Sequence, residues 1–428
     1  MLDIKLIREN PDVVRKDLEK RGDPQKMEYL RDLIRFDKEW RENLKVLEGL
    51  RMQRNDLTER IASLKKSGQD ASKELAEVKG IPAKIKELDE KNESLKGKTE
   101  FYLMRLPNIL HHSVPIGKDD SENVEVKKVG KAPDFSFEPK NHADIMEALG
   151  LLDGERAARI SGHAFFYLKG QLAQLDQAIM KFAVDFMVGK GYTLIEPPLM
   201  IKRKPYEGVT DLADFENVMY KVEGDDLYLI ATSEHPMAAM HMNEVIDASQ
   251  LPIKFVGISP CFRREVGAHG KYTKGLFRMH NFNKIEQFIF CRPEDSWKLH
   301  EELQHNSESL YKALGLAYRV VNVCTGDIGV IAAKKYDTEA LMSDGVYREV
   351  GSNSNCTDYQ ARRLNIRYRE GEGQAPAGFV HTLNNTAIAT SRTMVAIIEQ
   401  YQNKDGTVNI PEVLQPYMCG AKRIEKPR

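Results

Sequence analysis

The stretch CFRREVGAHGKYTKGLFRMHNFNKIEQFIF, residues 261–290, decides the fold. The segment 258–265 runs from apolar residues into Arg263-Arg264-Glu265. The segment 282–290 alternates roughly, as a strand half exposed in a cleft does. Between them lie Gly267, Gly270 and Gly275 with Lys271 and Lys274. The pattern predicts two long antiparallel strands joined by a basic, mobile loop. Arg263, Lys271 and Arg278 spread positive charge along this hairpin, and Glu265 and Glu286 set carboxylates beside it. That chemistry suits a cleft floor for a polyphosphate and an ammonium group. An ordinary hairpin with a solvated charged face has the same composition, so the surrounding chain must decide between them.

On both sides of the hairpin the strands come without βαβ alternation. Segments 227–230, 253–258, 318–323, 347–352 and 381–388 read as strands. Segments 171–188, 297–314 and 393–401 read as helices, the last opened by Arg392, and 353–363 turns into a helix. This predicts an α+β fold with a mixed, largely antiparallel sheet flanked by helices. Residues 190–200, KGYTLIEPPLM, combine a glycine, a short strand and a double proline. Proline cannot donate to a ladder, so this strand belongs at a sheet edge or an interface.

The N-terminal quarter differs. Residues 2–23 read as a small helical piece. From 27 to 66 charge dominates, and Leu33, Phe36, Trp40, Leu44, Leu47, Leu50, Leu57 and Ile61 recur three and four apart. The pattern breaks at Ser67-Gly68 and resumes with Leu75, Val78, Ile85, Leu88 and Leu95, and Pro82 implies a restart of the returning helix. Two narrow seams make an antiparallel coiled-coil arm that projects into solvent. Such seams most often serve dimerisation or packing. Here Arg51, Arg54, Arg60, Lys65 and Lys66 crowd towards the tip, which also suits a sequence-blind grip on phosphates. The expected organisation is an N-terminal domain over 1–105 with its arm at about 27–98, a crossing at 106–122 and a body over 123–428. In the crossing, the adjacent His111 and His112 point apart on any regular element and read as structural.

The 428 residues suffice for two or three domains. Net charge is −1, so nucleic-acid binding has to come from a local patch. No run of about 18 apolar residues suggests a membrane span, and the start MLDIKLIREN lacks a secretory apolar core. The five cysteines Cys261, Cys291, Cys324, Cys356 and Cys419 are scattered, so neither a disulfide framework nor a zinc site is expected. A reducing cytoplasm fits. The P-loop, the G-x-S-x-G elbow and the H-E-x-x-H helix are all missing. What remains is phosphate binding by arginine forks on a sheet, since guanidinium meets two phosphate oxygens at once and stays charged.

Three separated segments resemble the signatures of the class II aminoacyl-tRNA synthetases: 190–200 with Pro198, Phe262-Arg263-Arg264-Glu265 followed by Phe282, and Arg392 at a helix start. The segments 231–234, 278–286, 354–363 and 382–384 look more specifically like seryl-tRNA synthetases, and the resemblance covers essentially the whole chain. It implies an antiparallel class II sheet and ATP-dependent attachment of L-serine to tRNA(Ser) through an adenylate. Whether tRNA(Sec) is served as well stays open. It implies that Arg263 and Arg264 meet the nucleotide, that Glu265 positions it and that Phe282 stacks on adenine. Arg278 and Arg392 clamp the γ-phosphate end of a bent ATP, with Val350 and Gly351 alongside, and Glu349 and Ser352 hold Mg²⁺. Thr232, Ser233, Glu234, Arg263, Glu286, Asn384 and Thr386 surround the serine. The arm binds tRNA, and the proline-rich edge strand pairs two copies into a homodimer. The chain departs from the usual pattern at Asn281, Asp337-Thr338-Glu339, Asn385-Thr386-Ala387 and Ala389-Thr390-Ser391. Two other readings compete: an amino-acid activator that loads a non-tRNA carrier, and an inactive synthetase body kept as a coiled-coil binding module.

Overall fold

The computed structural model describes residues 1–211, 218–265 and 275–427. The expected loop with Gly267, Gly270, Lys271 and Lys274 lies outside the described residues. The chain divides into two compact units, Met1–Pro107 and Asn108–Arg428.

In the first unit, the Asp3 side chain caps α1 (Ile4–Glu9), and Asn10 separates it from α2 (Pro11–Arg21). The long outgoing helix α3 (Pro24–Lys66) starts where the Asp23 carboxylate accepts from the amides of Gln25 and Lys26, with Pro24 in the first turn. The return is split into α4 (Ser72–Lys79) and α5 (Ile81–Leu103), broken at Gly80 with Pro82 in the opening turn. A proline deeper inside would cost a hydrogen bond and clash with the preceding turn. The seam buries Leu47, Leu57, Ile81 and Ile85 together, and Phe36 stacks on Tyr102 near the base with ring centroids 5.9 Å apart. Within this apolar seam Asn43 Nδ2 donates to Asn92 Oδ1 at 2.8 Å and to the Leu88 carbonyl at 3.1 Å. A buried polar pair of this kind favours one register over its neighbours, at some cost in stability.

The second unit is built on an eight-stranded sheet. In chain order its strands are β1 (Val124–Val129), β2 (Thr193–Ile195), β3 (Ile253–Phe262), β4 (Asn281–Cys291), β5 (Tyr318–Asn322), β6 (Lys334–Leu341), β7 (Tyr347–Asn355) and β8 (His381–Ala389). They lie in the order β1-β5-β6-β7-β8-β4-β3-β2. Every neighbouring pair is antiparallel except β2 and β3. The predicted hairpin is β3–β4, in register from Ile253 opposite Phe290 to Phe262 opposite Asn281. The proline-flanked strand β2 sits at an edge. Strand β7 runs three residues further than its apolar pattern suggests, and β6 and β1 are not evident in the pattern at all. Both carry many charged residues, so neither has an apolar row to mark it.

Helices cover both faces of the central strands. They are α6 (His142–Ala148), α7 (Gly170–Gly189), α8 (Arg203–Val209), α9 (Glu234–Ala239), α10 (Ser296–Ala313), α11 (Tyr359–Leu364) and α12 (Thr390–Gln400). One face packs Ile285, Ile289 and Leu383 against Leu303 and Tyr311 of α10, with α7 and α12 in the same core. The other packs Phe288 and Phe290 with Tyr206, Ala361 and Leu364. The segment from Asn108 to Gly117 belongs to this unit: Asn108 Nδ2 donates to the carbonyls of Ile331 at 3.0 Å and Cys356 at 2.8 Å.

Replacing Asn43 alone by leucine strands a buried amide on Asn92, which should lower arm stability by about 1–3 kcal/mol. Replacing both by leucine should raise it above the parent. Thermal unfolding followed by Trp40 fluorescence in a Trp297→Phe background separates the two outcomes.

Candidate active site

Strand parity decides which side chains meet. On β4, Phe282, Lys284, Glu286 and Phe288 share one face, while Ile285 and Ile289 turn to the core under α10. Thr386 of β8 lies opposite Glu286, and Asn384 lies opposite Ser354 of β7. Glu349 and Ser352 are three residues apart and would point to opposite faces of a regular strand. The pairing of β6 with β7 shifts between Thr338 and Glu339, so one extra residue, Val350, is accommodated on β7. This bulge returns Glu349 to the face of Ser352. Ser352 Oγ then reaches Glu349 Oε1 at 3.3 Å and Asp337 Oδ1 at 2.6 Å.

A cavity of about 400 Å³ opens on that face. Its lining includes Thr232, Glu234, Arg263, Glu286, Glu349, Ser352, Asn384 and Thr386. These eight are scattered from position 232 to position 386 and come from six different elements and loops. The lining also includes Lys284, Ser354, Thr210, Asp211 and His235, which the sequence reading did not assign. Lys284 is the most consequential of these. Its alternation with Glu286 on one strand face was the available signal.

One end of the cavity holds carboxylates. Glu286 is 1% exposed, its Oε2 lies 2.7 Å from Lys284 Nζ, and it accepts from Thr386 Oγ1 at 3.2 Å. Glu234 Oε1 accepts from Gln360 Nε2 and Asn384 Nδ2, both at 3.1 Å. Gln360 is fixed in turn by Thr382 Oγ1, which donates to its Oε1 at 2.7 Å. Burial and the nearby Glu286 charge push the Glu234 carboxyl up to about 7, against the pull of Lys284 and Arg263. Thr232 Oγ1 accepts from the Glu234 amide at 3.1 Å, so this hydroxyl holds the first residue of α9 as well as lining the cavity. Behind them His235 is held neutral by burial and by Lys284 and Arg263.

Elsewhere in the lining, Glu349 is paired with a cation that stands outside it. Arg392, in the first turn of α12, donates to the Glu349 carbonyl at 2.9 Å and lies 3.2 Å from its carboxylate. Burial pushes the Glu349 carboxyl up, but Arg392, Lys335 and Arg263 outweigh it and hold it well below the usual range. Asp337 goes the other way, driven by burial and the Glu349 charge and only partly offset by Lys335. Arg263 is itself part of the lining. Its Nε donates to the Ala231 carbonyl at 3.3 Å, and its guanidinium lies over the Phe282 ring at 5.3 Å.

Other sequence-assigned residues, Phe282 and Arg392 among them, lie apart from the cavity lining. Ser233 is fully buried, and its hydroxyl donates to the Gly257 carbonyl at 3.4 Å. Val350 is in the core, and a Cβ on Gly351 would come within 3.2 Å of Thr386. The Arg264 amide donates to the Val218 carbonyl at 3.0 Å. Glu265 pairs with Arg278 at 3.2 Å beyond the end of β3. In the other unit Arg51, Arg54, Arg60, Lys65 and Lys66 are all exposed on α3, with Arg51 bonded to Asp89 at 2.8 Å.

The chain has close relatives. Residues 218–401 match the tRNA synthetase class II core domain (G, H, P, S and T), and residues 1–110 match the seryl-tRNA synthetase N-terminal domain. It is 55% identical to the serine–tRNA ligase of Methanocella arvoryzae, over 99% of this chain and 100% of that one. It is similar to the crystal structure of seryl-tRNA synthetase from Pyrococcus horikoshii complexed with ATP, with a TM-score of 0.95, 48% identity and full coverage of both chains. The cytoplasmic serine–tRNA ligase from Naegleria fowleri in complex with AMP gives a TM-score of 0.89 at 35% identity, over 100% of this chain and 99% of that one.

A carboxyl raised by folding is ionised in the unfolded chain before it is in the folded one. The Glu234 contribution is therefore neutral below about pH 4.5 and increasingly destabilising as pH rises towards about 7. Glu234→Gln should raise Tm more at pH 8 than at pH 5. Equal shifts at the two pH values would mean that the carboxyl is not perturbed in this way.

Proposed function

The chain belongs to the seryl-tRNA synthetases and its activity is that of a serine–tRNA ligase, and we propose that it proceeds through a seryl-adenylate formed from ATP in this cavity. One observation carries the proposal: a polar cavity is lined by the carboxylates Glu234 and Glu286, by Arg263, and by Glu349, which is paired with Arg392.

The carboxylate end takes L-serine. Glu234 and Glu286 attract its ammonium group, and Thr386, Thr232 and Asn384 bond its polar atoms. A site that hydrogen-bonds the serine hydroxyl rejects alanine, which would leave buried groups unpaired. Threonine is rejected by size, with the Thr386 methyl narrowing the pocket. The other end takes ATP. Phe282 offers a flat face to adenine, Arg263 meets the α-phosphate, and Arg278 and Arg392 meet the distal phosphates. Glu265 orients the nucleotide.

In the first step the serine carboxylate attacks the α-phosphorus, and the bond to pyrophosphate breaks. The attacking carboxylate is already ionised, so no general base is required. Charge accumulates on phosphate oxygens, where preorganised arginine stabilises it without reorganisation. In the second step a terminal ribose hydroxyl of tRNA attacks the adenylate carbonyl and AMP leaves.

Glu349 and Ser352 also fit Mg²⁺. They offer a carboxylate and a hydroxyl on one face, and among the described residues no three His, Cys, Asp or Glu converge to form a complete metal site. Mg²⁺ binds through one or two carboxylates and takes its other ligands from phosphate and water. Bound there, it would neutralise charge on the phosphates.

The basic face of α3 grips tRNA(Ser), which a carrier-loading activator would not need. Among the described residues no helix is long and apolar enough to cross a membrane, and the proposed place of action is the cytoplasm. The two competing readings separate in one experiment. ATP–pyrophosphate exchange should respond to serine, and labelled serine should pass to tRNA. Removing residues 46–96 should leave exchange within about twofold and reduce charging by about a hundredfold, the loss expected from several phosphate contacts. Charging that survives the deletion removes the arm from the reaction, and no exchange with serine removes the proposal. The β2 edge, with exposed Leu194, Leu199 and Met200 beside the double proline, is proposed as a homodimer face. Light scattering should then give about twice the chain mass of 48.8 kDa, and a monomer would exclude it.

A further inference from the structure

We propose that His142 is a positioning residue that, through Leu276 and Glu399, sets the two distal ATP arginines relative to each other. The inference rests on the assignment of Arg278 and Arg392 to the distal phosphates. His142 opens α6 and is 1% exposed. Its Nδ1 lies 2.7 Å from Glu399 Oε1, and its backbone amide donates to the same oxygen at 3.0 Å. The Leu276 amide donates to His142 Nε2 at 3.0 Å. A ring nitrogen that accepts carries no proton, so the bonding pattern assigns the proton to Nδ1, which donates to Glu399. The second Glu399 oxygen accepts from the Ser343 amide at 2.8 Å.

A buried histidine–carboxylate pair can be a plain core staple. What stands at its two ends argues for more. Leu276 lies two residues before Arg278. Glu399 lies on α12, about two turns beyond Arg392. The Arg392 guanidinium also covers the Phe277 ring at 5.0 Å. The chain from Gly275 to Arg278 is thus tied to α12 twice, by the His142 bridge and by the cation–π contact. Gly275 completes the fit. It has φ +78°, and a Cβ there would come within 2.3 Å of His142 Nε2 and 2.9 Å of Ala143 Cβ. Only glycine lets the backbone pass this close.

The test is steady-state ATP–pyrophosphate exchange on the full chain, with ATP and serine varied separately and Tm recorded. His142→Asn keeps a donor towards Glu399 and removes the acceptor from Leu276. It should raise the ATP KM about tenfold, the loss expected for one buried hydrogen bond, and leave the serine KM within about twofold. His142→Gln places an amide oxygen where Nε2 stood and should recover most of the loss. Gly275→Ala keeps the histidine but forces its ring and the Leu276 backbone apart, and should give the same ATP-selective rise, which keeps the idea testable if the histidine variants fold poorly. The inference is overturned if the asparagine and glutamine variants behave alike, or if both KM values move in parallel with Tm. Arg392→Ala is the reference. If it raises the ATP KM while His142→Asn and Gly275→Ala do not, this inference alone fails. If it leaves the ATP KM unmoved, the arginine assignment fails and takes the inference with it.

Discussion

An ammonium group and a carboxylate, Lys284 and Glu286, are held 2.7 Å apart in the middle of an eight-stranded sheet, 6% and 1% exposed respectively. Charges taken that far from water are costly unless each is paired and hydrogen-bonded. Much of the surrounding structure supplies that pairing. Thr386 is brought opposite Glu286 by the β4–β8 register. Glu234 adds a third charge, and folding answers it with two amide donors, Gln360 and Asn384, one of them locked by Thr382. The residual mismatch appears as the raised Glu234 carboxyl. A cluster of this kind is poor for stability and well suited to receiving an ammonium ion and a hydroxyl.

The second constraint is parity. A sheet sends alternate side chains to opposite faces, so a site drawn from three strands needs its registers matched. Two irregularities make the match. The extra residue on β7 brings Glu349 to the face of Ser352, and the β4–β8 pairing also shifts beyond Thr386. Bulges of this type re-aim side chains next to functional sites. They explain why Val350 and Gly351 lie beside Glu349 in the chain yet serve the core and the backbone rather than the cavity.

Much of the fold was legible. The arm followed from its three-and-four spacing, its break at Ser67-Gly68 and the restart at Pro82. The central hairpin followed from alternation around Arg263 and Glu286, and the edge strand from Pro197-Pro198. What escaped were β1 and β6. Their residues are charged, and their place in the sheet comes from backbone pairing with β5 and β7 rather than from an apolar row. Lys284 escaped for a related reason, since a lysine in a half-exposed strand normally points to solvent.

By itself the sequence determined the kinds of residue available, the order of the elements and the nature of each: where helices cap, where proline forbids pairing, and where seams repeat. These properties depend on neighbours a few positions apart. It also determined, through motif spacing, which family the chain resembles. The tertiary structure alone decided which of those residues share a cavity, because Glu286, Asn384 and Glu349 are brought together by register across β4, β8 and β7, and Thr232 joins them from the loop before α9. It decided that Glu349 sits low and Asp337 high, since each shift depends on partners distant in the chain. It also decided that His142 and Glu399, 257 positions apart, meet under Leu276. Register, bulges and burial are products of the whole sheet, and no local pattern encodes them.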